Sequence, residues 1–83
     1  MNVKDQIEAR LHAAFRPEEL EVENESHRHA GHAGDDGTGE SHFRVRIRAA
    51  ELAAMSRVDR HRAVTRALGD LVPRIHALAL DIG

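Results

Sequence analysis

The segment HFRVRIR, from His42 to Arg48, constrains the fold more than any other part of the chain. Phe43, Val45 and Ile47 alternate strictly with three arginines. This spacing is typical of a β-strand that has one face on the protein core and the other face in water. In a chain of 83 residues, helices must cover the apolar face, so the segment predicts a small sheet with helices on one side.

Two main helices are predicted around this strand. Over residues 3–15 apolar side chains recur at every fourth position, and Pro17 ends the helix. A second helix over residues 57–71 follows Ser56, which has the spacing of a capping box with an acidic residue three positions later. The apolar stripe predicted for this helix consists of Val58, His61, Val64, Leu68, Leu71 and Val72.

Two further strands complete the expected domain. Residues 19–24 alternate Leu and Val with Glu, and residues 75–82 are apolar enough to be mostly buried. With a short helical turn near residues 49–55, the order is αββααβ in a single α/β (α+β) domain over residues 1–83. We expect a three-stranded mixed sheet, with the first two strands antiparallel and the second and third parallel.

Composition limits the function. The chain has no Cys and a net charge of −2, so it offers no thiolate ligand or catalytic thiol, and bulk charge does not draw it to polyanions. No nucleophile–base set is recognisable, and we predict that the protein is not an enzyme. It contains no run long enough for a membrane span and no signal-peptide pattern, so a cytoplasmic location is expected.

Between the first two strands lies a glycine- and histidine-rich segment, residues 26–41, which predicts a long mobile loop. His27, His29 and His32 in this loop have a spacing that could seat Zn²⁺, although the glycines provide no rigid frame. His42, at the end of the loop, is predicted to be a surface residue on the arginine face of the strand.

The chain resembles the BolA family over essentially its full length. The resemblance rests on LEVENES at 20–26, ESHF at 40–43, SRVDRHR at 56–62 and IHALAL at 75–80. It implies a KH-like fold of the second topological type. It also implies a partnership with monothiol glutaredoxins around a [2Fe–2S] cluster, and a role in DNA binding and transcription regulation.

By the same resemblance, His29 and His76 are the residues expected to face the cluster. A [2Fe–2S] cluster needs four ligands, and imidazole can replace thiolate at two of them, as in Rieske centres. This chain without Cys could therefore hold the cluster only jointly, with the glutaredoxin and glutathione supplying sulfur. We predict an adaptor in iron–sulfur and iron homeostasis that is a monomer or weak homodimer when alone.

The alternative is a nucleic-acid-binding regulator. Arg57, Arg60, Arg62 and Arg66 give the second long helix a basic surface, and the arginine face of the strand adds to it. The Gly-x-x-Gly loop with which KH domains grip a nucleic-acid backbone is missing between residues 52 and 57. Aromatic side chains for base stacking are also scarce, so this function ranks second.

Overall fold

The computed structural model describes residues 2–25, 42–75 and 77–83. The predicted αββααβ order is confirmed, while the prediction of a mobile loop over 26–41 falls outside the described residues. The elements are α1 (Val3–Phe15), β1 (Glu19–Asn24), β2 (His42–Arg48), α2 (Ala50–Ala53), α3 (Arg57–Leu68), a 3₁₀ helix (Gly69–Arg74) and β3 (Ala77–Ile82).

The three strands form one mixed sheet in the order β1-β2-β3. β1 pairs antiparallel with β2, so that Val22 lies opposite Val45. β3 pairs parallel with β2 on its other side, so that Leu80 also lies opposite Val45. The predicted mixed topology is therefore confirmed, with β2 in the centre.

The core lies between the sheet and the helices. Phe43, Val45 and Ile47 of β2 are buried, as predicted, and they share the core with α1 residues such as Ile7 and Leu11. The arginines between them stay wholly or partly exposed. The strand register inferred from the alternation is confirmed, because a shift by one residue would have reversed the two faces.

Side-chain caps define where the long helices begin. The Asn2 side chain accepts a hydrogen bond of 2.8 Å from the backbone N–H of Asp5 at the start of α1. The Ser56 hydroxyl accepts one of 3.2 Å from the backbone N–H of Asp59 at the start of α3. Each bond satisfies a backbone donor that has no partner inside the first helical turn.

The predicted apolar stripe of α3 is wrong in its first turns. Val58 is 57% exposed, and His61 is exposed as well. At about 100° per residue, Val58 lies about 120° around the helix from the buried Val64, which turns it away from the core. Only the later members of the stripe reach the core: Val64, Leu68 and Leu71 are buried and Val72 packs against them.

The second long helix also ends earlier than predicted. α3 stops at Leu68, because Gly69 adopts a positive φ of 54°, and Pro73 lies inside the following 3₁₀ helix rather than terminating α3. β3 is less buried than expected, with alternating exposed and half-buried residues. An edge strand lacks a neighbour on one side, which accounts for this partial exposure.

An arginine from α1 holds the end of α3. Arg10 Nη1 donates hydrogen bonds of 2.6 Å to the Leu68 carbonyl and to Asp70 Oδ1. The guanidinium lowers the pKa of the Asp70 carboxyl below its ordinary value of 3.8 by this hydrogen bond and by its charge. A Cβ atom at Gly69 would lie 3.3 Å from Arg10 Nη1. Glycine therefore suits both the positive φ and the close approach of the Arg10 side chain.

We predict that the two valines of α3 differ sharply in their contribution to stability. Val64→Ala should lower the free energy of unfolding by about 2 kcal/mol, because it removes buried methyl groups and leaves a cavity. Val58→Ala, the matched control on the exposed side, should stay within about 0.5 kcal/mol of wild type. Urea unfolding followed by circular dichroism measures both, and equal losses would contradict the position of α3.

Candidate functional site

The end of β1 and the starts of β2 and β3 lie next to one another at one end of the sheet. The backbone N–H of Glu25 donates to the carbonyl of His42 at 2.8 Å, so the two ends of the hairpin are tied together. On the other side, His42 pairs with Ala77 at the start of β3. We call Glu25, His42 and Ala77 the sheet end.

Two of these residues are buried although they are polar. Among the described residues, the buried polar side chains are those of Glu25, 9% exposed, and His42, 7% exposed. The prediction that His42 is a surface residue is therefore wrong. Strand alternation places this side chain on the arginine face but says nothing about what covers the end of a strand.

Burial of ionisable groups is uncommon in proteins unless they are paired. Glu25 has such a partner, because Arg44 Nε lies 3.5 Å from its Oε2. The backbone hydrogen bond between Glu25 and His42 makes these two buried polar residues cross-strand neighbours at the sheet end. Sequence reasoning missed Glu25, which in the sequence is one more glutamate after an alternating strand.

The four histidines predicted as ligands, His27, His29, His32 and His76, lie outside the described residues. The segments that carry them are bounded by described residues, however. The first three belong to the segment that starts after Glu25 and returns at His42, and the fourth directly precedes Ala77. All four are therefore attached to the same end of the sheet.

Within residues 2–25, 42–75 and 77–83, no three His, Cys, Asp or Glu side chains are close enough together to hold a metal ion. The remaining histidines of this part, His12 and His61, are exposed on α1 and α3. The described residues alone thus offer no complete metal site.

The outer face of the sheet is an ion-pair ladder. In the hairpin register, Arg44, Arg46 and Arg48 lie opposite glutamates of β1. Arg46 Nη2 is 3.7 Å from Glu19 Oε2, and Arg48 Nη2 is 3.0 Å from Asp81 Oδ1 on β3. These pairs largely neutralise the arginine face that the sequence suggested for nucleic acid.

The basic surface of α3 divides into two parts. Arg60 donates from Nε to the Met55 carbonyl at 3.0 Å and from Nη2 to the Ala53 carbonyl at 3.2 Å. Its guanidinium therefore satisfies carbonyls at the end of α2. Arg57, Arg62 and Arg66 are exposed, and none forms an ion pair with another described residue.

Comparison with known proteins agrees with this architecture. The family described as BolA-like protein matches residues 11–82. A protein of Sinorhizobium sp, named as an uncharacterized protein in the cobS 5' region, is 54% identical over 83 residues, which cover 98% of this chain and 89% of that protein. The DNA-binding transcriptional regulator BolA of Escherichia coli (strain K12) is 40% identical over 81 residues, or 96% and 73% of the two chains.

A solved structure shows the same similarity in three dimensions. BolA1 from Arabidopsis thaliana superposes with a TM-score of 0.85 at 34% identity, covering 99% of this chain and 90% of that one. The chain belongs to the BolA-like protein family. No helix among the described residues is long and apolar enough to cross a membrane.

We predict that Arg60 serves structure and Arg62 does not. Arg60→Ala should lower the free energy of unfolding by about 1 kcal/mol, because it leaves carbonyls of the α2–α3 connection without their charged donor. Arg62→Ala should change it by less than about 0.5 kcal/mol. Thermal unfolding of the two variants side by side is the measurement, and a fully stable Arg60→Ala protein would show that these two hydrogen bonds are unimportant.

Proposed function

We propose that this protein is a non-enzymatic adaptor of iron–sulfur and iron homeostasis that binds a monothiol glutaredoxin. It shares a [2Fe–2S] cluster with that partner through His76 and a loop histidine, first of all His29. The expected cytoplasmic location is part of the same proposal.

The single observation that supports this proposal most strongly is the sheet end. The hairpin returns at His42, and His42 pairs with Ala77, the residue after His76. Two histidine-bearing segments that are far apart in the sequence therefore start from neighbouring backbone positions. A shared ligand set requires this kind of convergence.

The donor set is consistent with a shared cluster. With seven His and no Cys, the chain can offer imidazole nitrogens, while thiolate sulfur must come from the partner and glutathione. When bound, the cluster supplies one-electron redox chemistry and transferable iron and sulfide. Glu25 and His42 are buried at the two ends of the segment that carries three of these histidines.

A second candidate function is nucleic-acid binding in transcription regulation. It is favoured by the name of the Escherichia coli relative and by the three exposed arginines of α3, Arg57, Arg62 and Arg66. Arg62 and Arg66 are one turn apart and line one groove of α3, whereas Arg57 lies about 140° around the helix from Arg62 and lines another groove. This function requires only phosphate contacts, which are compatible with the first proposal.

The decisive prediction concerns His76 and His29. His76→Ala should remove most of the cluster absorbance from the complex with a monothiol glutaredoxin, because the next residue begins β3 and a ligand beside a rigid strand is well positioned. His29→Ala should have a smaller effect, since His27 or His32 can replace it. Visible absorbance and cluster lifetime in the co-purified complex measure both effects.

Controls separate ligand loss from unfolding and from general loss of imidazole. Circular dichroism should show that both variants are folded. His12→Ala, which removes an exposed histidine of α1, should bind the cluster like wild type. A folded His76→Ala protein that retains the wild-type cluster would refute the ligand assignment.

The second function is tested by the salt dependence of DNA binding. Replacing Arg57, Arg62 and Arg66 together by alanine should weaken binding to any sequence. It should also reduce the slope of log K against log salt by about 0.9 for each phosphate that the protein no longer neutralises. Arg46→Ala, which removes an exposed arginine already paired with Glu19 on the sheet, is the control. An unchanged slope in the triple variant would exclude α3 as the DNA-binding surface.

A further inference from the structure

The two edges of the sheet are protected to different extents. β1 carries Glu19, Glu21 and Glu23, and charges of this kind discourage pairing with another chain. β3, with the sequence ALALDI, has a single charge at Asp81, and Arg48 already binds that carboxylate at 3.0 Å. Within the described residues, β3 pairs with β2 alone.

The pairing with β2 determines which backbone groups of β3 remain available for another strand. The N–H of Gly83 donates to the Ile47 carbonyl at 3.3 Å, and the Asp81 carbonyl accepts a hydrogen bond of 2.9 Å from Nη1 of the Arg48 side chain. Odd-numbered residues of β3 therefore direct their backbone groups towards β2. Because these directions alternate along a strand, the N–H and C=O groups of Leu78, Leu80 and Ile82 point to the open edge.

We infer that this edge binds a second copy of the chain, with the two β3 strands antiparallel and Leu80 opposite Leu80 of the second copy. In this register Leu78 lies opposite Ile82, and every such pair exchanges two hydrogen bonds through the backbone groups at the open edge. The half-buried side chains of these residues then cover one another. The interface is isologous, and the two sheets join into one.

Charge selects this register over its neighbours. Here Asp81 lies opposite the small Ala79 of the second copy. A shift of the symmetry centre to residue 81 would place the two Asp81 carboxylates opposite each other, which is unfavourable. A shift of the centre to residue 79 would place Ile82 opposite residue 76 of the second copy, which lies outside β3.

Basic side chains at the start of α3 lie beside this edge of β3. Arg57, Arg60 and His61 line a groove together with Leu80, Asp81 and Ile82. The arginines of the two copies therefore lie near the shared edge, and their repulsion weakens the dimer. An interface made by one short strand is small, so the dimer should be weak and dependent on concentration.

The test uses the full chain without any partner. Sedimentation equilibrium over a wide concentration range should show a reversible monomer–dimer equilibrium for wild type. Leu80→Pro should abolish dimerisation, because it removes an N–H that points to the open edge and leaves the β2 ladder intact. Loss of a half-buried leucine could also destabilise the fold, so a charge-swap pair provides the second measurement.

Ala79→Glu places a negative charge opposite Asp81 of the second copy, and symmetry doubles the effect. It should raise the dimer dissociation constant about fivefold or more. Ala79→Lys places a positive charge there, so its dissociation constant should equal or fall below that of wild type. Circular dichroism confirms the fold of both variants.

Three outcomes would overturn the inference. A wild-type protein that stays monomeric at the highest concentration shows that the edge does not pair. A folded Leu80→Pro protein that still dimerises places the interface elsewhere. An Ala79→Lys protein weakened as much as Ala79→Glu shows that the register is not centred on Leu80. None of these measurements involves the cluster or the glutaredoxin.

Discussion

The register of β2 against its two neighbours is the constraint on which the rest of the structure depends. It directs Phe43, Val45 and Ile47 towards the helices and the intervening arginines towards the outer face. The same register brings Glu25 and Ala77 to the two sides of His42. A slip by one residue would reverse both faces of β2. The burial of its apolar side therefore also fixes which residues meet at the sheet end and which backbone groups of β3 point to the open edge.

The ion pairs of the sheet affect the charge of the protein surface more than they affect the stability of the fold. Exposed pairs such as Arg46 with Glu19 contribute at most about 1 kcal/mol each. They nevertheless reduce the net positive charge of the outer face, because the arginines of β2 lie opposite the glutamates of β1. On α3, three arginines remain without a paired acid among the described residues, and Arg60 is withdrawn from that set by its bonds to carbonyls.

Local signals made most of the fold predictable. The bounds of α1 follow from Asn2 and Pro17, and the face of β2 follows from strict alternation. The errors arise where tertiary contacts decide. Val58 was grouped with the buried stripe, yet it lies about 120° around α3 from Val64 and is exposed. His42 lies on a polar face, yet it is buried. For His42, strand alternation gives the direction of the side chain but not the extent of what covers it.

The candidate site shows the same division and adds a consequence for regulation. Sequence similarity pointed to particular histidines, whereas their common attachment to one end of the sheet emerged only from strand pairing. Leu80 is three residues from Ala77, about 10 Å along β3. A second copy on this edge therefore lies close to the sheet end, so the two proposals place their partners on neighbouring parts of one surface. Because the homodimer is weak, mass action lets a tighter partner that competes for this surface dissociate the two copies.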